Sequence, residues 1–159
     1  MRKSFLLPIL FLIIFTSCKD DEPEVIPETR LTIEVSKQEA SSTGSISTER
    51  TTAIIHVWEA AGRDFDVSKS PDIYLGNVYD NNSETYKTIE YGAIGSRMVE
   101  KIEPGRYFVY VLLPKSNNSG SLAYSYTYFD IKKGDNLKLS KTFSHDLDEG
   151  IYEKWDKNR

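Results

Sequence analysis

The sequence predicts an all-β fold, a single antiparallel β-sandwich of about seven strands, for residues 31–159. Several stretches alternate apolar and polar residues, as strands with one buried face do. Turn-forming Asn, Asp, Gly and Pro separate these stretches at short intervals. No stretch of the domain has a convincing helical period, although residues 148–159 fit either a final strand or a short helix.

The first predicted strand covers residues 31–36, which place Thr32, Glu34 and Ser36 on a solvent-facing side. Residues 41–48 read as a loop, and residues 51–60 are β-branched and aromatic, as a second strand would be. After the irregular residues 62–71, a further apolar stretch ends in the turn "DNNSE", where Asp and Asn tolerate left-handed backbone.

The second half contains five further predicted strands, in residues 85–92, 96–102, 106–114, 121–131 and 136–143. Residues 107–113 are apolar on both faces, which indicates a central strand covered on both sides or one at a contact surface. We expect one core between two sheets, made by Leu31, Ile33, Val35, Ile55, Val57, Val109, Val111, Leu137 and Leu139.

One segment carries a family resemblance. Residues 98–113, "MVEKIEPGRYFVYVLL", resemble the entry to a core strand in prealbumin-like sandwiches, including the carboxypeptidase-regulatory and collagen-adhesin B-type domains. Pro104-Gly105 would reverse the chain, and Tyr107 would bury its ring while its hydroxyl bonds backbone at the corner. A similar tyrosine corner occurs in immunoglobulin-like sandwiches, so the resemblance implies a sandwich of either type.

The N-terminus has the features of a signal peptide in residues 1–17. Arg2 and Lys3 precede an apolar run from Phe5 to Phe15, which is too short to span a bilayer as a helix. "FTSC" resembles the lipobox of bacterial lipoproteins and predicts lipidation of Cys18, the only cysteine of the chain. The alternative is an ordinary secretory signal in which Cys18 is incidental.

Residues 18–30 are predicted to form the lipidated N-terminus and an acidic linker. Lys19-Asp20-Asp21 resembles the export signal of surface lipoproteins in the Bacteroidetes. The resemblance implies a lipid-anchored protein of the outer membrane that faces the cell exterior. A charged linker without an export role, and a protein on the inner leaflet of the outer membrane, are the alternatives.

The net charge of the chain indicates which classes of binding partner are unfavourable. Loss of Arg2 and Lys3 with the signal would change the net charge from −4 to −6. The longest basic run, Lys132-Lys133, has two members, so the sequence argues against nucleic acid and anionic lipid as partners. Membrane attachment would then come from the lipid anchor alone.

The sequence singles out no catalytic residue, metal ligand or cofactor. His56 lies in a predicted strand and is expected to be packed or at a rim, while His145, near Asp146 and Asp148, matches no metal-binding spacing. There is no G-x-S-x-G elbow, and lipidation would remove the only thiol. We therefore expect no enzyme, with a hydrolase as the remaining catalytic alternative.

Tyr124, Tyr126 and Tyr128 stand at alternate positions and share one face of a strand. The rings either fill the core and pair across strands, or form an exposed strip on which a glycan or protein partner stacks; Trp58 belongs to the same question. The first hypothesis is a non-catalytic binding module, favoured by an exposed strip. The second is a structural accessory subunit of an envelope assembly, favoured by a long edge strand or a large apolar patch.

Overall fold

The all-β prediction is confirmed by the computed structural model, which describes residues 27–115, 120–147 and 149–156. No α-helix occurs in those ranges, and hence none there could cross a membrane. The predicted signal peptide, Cys18 and the Lys19-Asp20-Asp21 motif lie outside them. The strands are β1 (Arg30–Ala40), β2 (Ile46–Arg50), β3 (Ala53–Glu59), β4 (Phe65–Asp66), β5 (Asn77–Asp80), β6 (Thr85–Thr88), β7 (Tyr91–Gly95), β8 (Arg97–Lys101), β9 (Gly105–Pro114), β10 (Ser121–Ile131), β11 (Asn136–Phe143) and β12 (Ile151–Tyr152).

The strands of the described residues form three sheets. In the first sheet, β11 flanks one edge of β1, and β8 and β2 pair in succession along the other edge. The central sheet has the order β12-β10-β9-β3-β7, and the small sheet has the order β4-β5-β6. The pairs β1–β11 and β10–β12 are parallel. A single antiparallel sandwich of about seven strands is therefore not confirmed, because segments read as loops also contain strands.

The first and central sheets share one core, which we call the first core. Eight of the nine residues expected there are buried, and Leu137 is half-buried against them. The expected solvent-facing side of β1 needs a correction at Thr32, which is only 7% exposed. Thr32 lies between Val99 of β8 and Lys138 of β11, whose side chains flank it on both sides.

The central sheet has a second core on its opposite face. Phe108, Tyr110 and Leu112 of β9 lie in this second core, whereas Tyr107, Val109 and the other odd-numbered residues point into the first. Residues 60–90, here called the covering segment, supply Ala60, Phe65, Ile73 and Val78 to it. Of the two alternatives that the sequence left open for this strand, the structure shows coverage on both sides.

The predicted tyrosine corner is present. A bend at Pro104 precedes β9, which begins at Gly105. The Tyr107 ring is buried and stacks on Phe129, with 5.6 Å between the ring centroids, and its hydroxyl donates to the Glu103 carbonyl at 2.9 Å. Burial raises the pKa of Tyr107 to about 12, so this hydroxyl keeps its proton at neutral pH.

Residues 151–156, here called the C-terminal strap, connect the neighbouring edges of the two large sheets. β12 pairs with β10, and the Glu153 N–H donates to the Tyr124 carbonyl at 2.9 Å. On the other side, the Thr142 N–H of β11 donates to Asp156 Oδ2 at 2.6 Å. Trp155, between these contacts, is buried in the first core. The strap therefore covers the core where the two sheets would otherwise be open.

A buried lysine holds the C-terminal strap in place. Lys141 of β11 is 3% exposed, and its ammonium lies 3.0 Å from Glu153 Oε2 and 3.1 Å from Asp156 Oδ1. It also donates to the Lys154 carbonyl at 3.0 Å. These three partners match the three donors of an ammonium. Although burial acts to raise the pKa of Glu153, the hydrogen bonds from Lys141 and Ser144 keep that pKa below its usual value.

Candidate binding groove

A groove of about 680 Å³ lies on the second-core face of the central sheet, beside the covering segment. Its described lining is apolar and aromatic, with hydroxyl groups as the polar side-chain atoms. The groove is lined in part by the apolar and aromatic residues Ile54, Val67, Ile73, Tyr74, Tyr110, Leu112 and Tyr124.

The floor of the groove follows from strand register. Ile54 of β3 is the cross-strand partner of Leu112 of β9, which is in turn the partner of Tyr124 of β10. Directly paired residues project from the same face of a sheet, so three strands place one row of side chains under the groove. Tyr110, two residues before Leu112, extends this floor and is 3% exposed.

One wall of the groove is the single 3₁₀ turn Ile73–Leu75 of the covering segment. This turn ends at Gly76, whose φ of 92° is a left-handed conformation that suits glycine. Tyr74 projects from the turn and is 48% exposed, so its ring is accessible from solvent. In the sequence, residues 72–80 are recognisable only as an apolar stretch before a turn, and nothing in that pattern identifies Tyr74 as part of a site.

His56 fixes that wall to the central sheet. Its Nδ1 lies 3.1 Å from the Ile73 carbonyl oxygen, and because a carbonyl only accepts, Nδ1 carries the proton. The ring is 8% exposed, and burial lowers the pKa of His56 despite the opposing effect of this hydrogen bond. The prediction of a packed histidine is confirmed.

Trp58, which the sequence placed with the candidate ligand-binding aromatics, is fully buried at 0% exposed. Its indole N–H lies 3.3 Å from the Gly76 carbonyl and 3.2 Å from the Lys87 carbonyl. A ring enclosed in this way presents no surface to a ligand, so Trp58 does not belong to the candidate site. Its role in the structure is to hold the covering segment on the central sheet.

The three tyrosines of β10 share one face, as predicted, and all are half-buried against the second core. Tyr124 lines the groove. Tyr126 packs against Tyr152 of β12, with 4.8 Å between the ring centroids, and Tyr124 lies 5.7 Å from the same ring. The Tyr128 hydroxyl accepts the Phe65 N–H at 2.8 Å and so fastens the covering segment. Of the predicted strip, Tyr124 is the member that reaches the groove.

The described lining of the groove contains no carboxylate, lysine, arginine or histidine. Burial raises the pKa of Tyr110 well above its usual range, so its hydroxyl is neutral at physiological pH. The groove therefore offers aromatic faces, apolar surface and neutral hydroxyls, which suit an uncharged ligand.

Among the described residues, no group of three or more His, Cys, Asp or Glu side chains is placed to hold a metal ion. His145 is exposed at the surface. No family model, curated protein or solved structure matches this chain. The proposed function is therefore inferred from the chain itself, chiefly from the groove and the N-terminal sequence.

Proposed function

We propose that this protein is a lipoprotein of the outer membrane, facing the cell exterior, that binds a neutral glycan in the groove and catalyses no reaction. The observation that carries the proposal is an accessible groove that combines tyrosine rings with an uncharged lining. Its volume of about 680 Å³ is typical of ligand sites.

Sugar rings present C–H groups on their faces and hydroxyls around their edges. The C–H groups stack on aromatic faces, and the sugar hydroxyls exchange hydrogen bonds with phenol hydroxyls. The 48% exposed ring of Tyr74 stands at the wall, and Tyr124 lies on the floor, so both kinds of contact are offered in one groove. A protein ligand, the other partner considered from the sequence, would contact the same surface.

The fold that presents this groove is, in our proposal, a β-sandwich of the prealbumin-like or immunoglobulin-like type. The core shared by the first and central sheets and the bond from Tyr107 to the Glu103 carbonyl support it. The covering segment would be an addition to such a sandwich, and it supplies the wall of the groove.

Replacement of Tyr74 by alanine is expected to weaken glycan binding about tenfold, or ~1.4 kcal/mol, through loss of one stacking face. The measurement is a screen of neutral oligosaccharides, followed by titration calorimetry with the best binder. Tyr86→Ala is the matched control, because Tyr86 is 53% exposed on β6 and outside the groove. Absence of any binder, or equal weakening by both variants, would contradict the proposal.

The N-terminal part of the proposal concerns anchoring. Lipidation of Cys18 would hold the domain by acyl chains, and Lys19-Asp20-Asp21 would direct it to the exterior. β1 begins at Arg30, so the intervening chain spans at most ~40 Å when fully extended. The domain would therefore stay close to the membrane surface.

Labelling of cells with a fatty-acid analogue is expected to tag the wild type and leave Cys18→Ala unlabelled. External protease on the same intact cells should digest the labelled wild type. Joint replacement of Lys19, Asp20 and Asp21 by alanine should keep the label and protect the domain. Equal labelling of Cys18→Ala would exclude lipidation at this residue, and protection of the wild type would exclude surface display.

The second candidate function is a structural accessory subunit of an envelope assembly. It is favoured by Ile94, which is 80% exposed on β7 at an edge of the central sheet, where unpaired backbone can meet another chain. β7 has five residues, which is short for a docking edge. An accessory subunit would show no glycan affinity at the groove, so the Tyr74 experiment separates the two candidates.

A further inference from the structure

Cationic side chains from four strands lie on the outer face of the first sheet. Its cationic side chains, here called the basic face, are Arg30 of β1, Arg50 of β2, Arg97 and Lys101 of β8, and Lys138 of β11. All five are more than half exposed, between 52% and 69%.

Strand register places these cations on one side. Lys101 pairs with Arg30, Lys138 with Thr32, Arg97 with Glu34, and Arg50 with Ser36. The β1 members of these four pairs are even-numbered residues, whereas the odd-numbered Leu31, Ile33 and Val35 point into the first core. Because successive side chains of a strand alternate between faces, the basic face lies opposite the core.

Two carboxylates accompany the basic face and neutralise part of it. Glu34 lies 2.8 Å from Lys138, 3.6 Å from Arg97 and 3.9 Å from Arg50. Glu28 contacts Arg30 and Lys101. Five cations against two carboxylates leave an excess of three positive charges, on a chain whose net charge is −4.

We propose that the basic face docks on a membrane surface through its phosphate-bearing anionic headgroups. This replaces the expectation from the sequence that anionic lipid is not a partner. That expectation considered runs of basic residues, whereas these cations come from four strands. A sheet offers an extended face rather than a pocket, which suits a planar array of charge, and the sign of the face matches phosphate. This choice of occupant rests on the proposed lipid anchor, since a chain of at most ~40 Å would keep Arg30 within reach of the bilayer.

The docked orientation has a consequence for the groove. The groove opens on the side of the central sheet that faces away from the first sheet, whereas the basic face lies on the outside of the first sheet. The two features are therefore on opposite sides of the domain. Docking by the basic face turns the groove away from the membrane, toward soluble or neighbouring glycans.

The test uses the whole mature chain from residue 18 onward, with Cys18→Ser so that no acyl chain contributes. We expect sedimentation with phosphatidylcholine vesicles that contain phosphatidylglycerol, and none with phosphatidylcholine alone. Arg97→Glu with Lys138→Glu should weaken binding by at least about tenfold, as should raising the salt concentration from about 0.05 to about 0.3 M. Arg30→Glu with Lys101→Glu, at the other end of the face, should act alike.

Lys87→Glu with Lys154→Glu is the matched control, since it changes the net charge equally away from the basic face. Circular dichroism establishes that each variant is folded.

Absence of vesicle binding by the wild type, or equal weakening by the control, would overturn the proposal. Binding to soluble polygalacturonate or single-stranded DNA without vesicle binding would also overturn it and assign the face to that polyanion. None of these results depends on fatty-acid labelling of Cys18, so failure of docking and failure of the anchor are distinguishable.

Discussion

Val109→Asp is expected to unfold the domain. Val109 is fully buried in the first core and lies in β9 between Val57 of β3 and Thr127 of β10. Neither of these cross-strand partners carries a cation that could pair with a carboxylate there. Burial of an unpaired polar or charged group costs several kcal/mol. This loss is comparable with the whole free energy of unfolding of a domain, about 5–15 kcal/mol.

The measurement is a thermal melt followed by circular dichroism, with Thr48→Asp as the control on the exposed strand β2. Thr32→Asp, which the alternation of β1 suggested as a silent change, does not serve because Thr32 is buried between β8 and β11. A Val109→Asp protein that melts like the wild type would show that the β9 register is wrong.

Glu153→Gln combined with Asp156→Asn is expected to lower the free energy of unfolding by about 3–5 kcal/mol, because it leaves the buried ammonium of Lys141 without a counter-charge. Lys141 is 3% exposed, so water cannot replace the lost carboxylates. Denaturant unfolding of the double variant against the wild type measures the difference.

Lys141→Met added to the double variant is the matched control. Methionine keeps the length and apolar surface of the lysine stem, so most of the lost stability should return if the unpaired charge is the cause. If the triple variant is as unstable as the double variant, the amides have damaged the hydrogen bonds to Thr142 and Ser144 instead, and the ion pairs are not the main contribution.

Acid should loosen the same contact. The pKa of Glu153 in the folded state is below its ordinary value of 4.5, so its contribution to stability is present above pH 4.5 and is lost as the pH falls through the folded-state pKa. The melting temperature should therefore fall on acidification, and by less in Lys141→Met, where the partner that lowers the pKa is gone.

Local patterns in the sequence were sufficient for part of the fold. The alternation of Leu31, Ile33 and Val35 identified the buried side of β1, because side-chain direction in a strand depends on the backbone alone. Tyr107 and Pro104 identified the corner before β9, because the hydroxyl reaches a carbonyl only four residues away. Coverage of both faces of β9 was one of two alternatives from the sequence, since apolar residues on both faces indicate either a covered strand or one at a contact surface.

Other features were decided by tertiary structure. Nothing near Trp58 in the sequence shows that residues 60–90 fold back over it and bury it, so its assignment to a ligand-binding strip failed. The alternation of β11 places Lys141 at an inward-facing position, which is an unusual position for a lysine and a signal that it has buried partners. Those partners, Glu153 and Asp156, come from the C-terminal strap, whose position the sequence pattern alone could not predict.

The sequence by itself determined the all-β class, the buried side of β1, the tyrosine corner and the N-terminal resemblance on which the anchoring proposal depends. Tertiary structure alone decided the groove and the basic face. Tyr74 and Tyr124 are 50 residues apart, and the cations of the basic face are spread from Arg30 to Lys138. Residues so far apart in the sequence come together only when their strands pair. Pairing between distant strands follows from the burial of both large sheets against shared cores, which depends on the whole chain and not on any one segment.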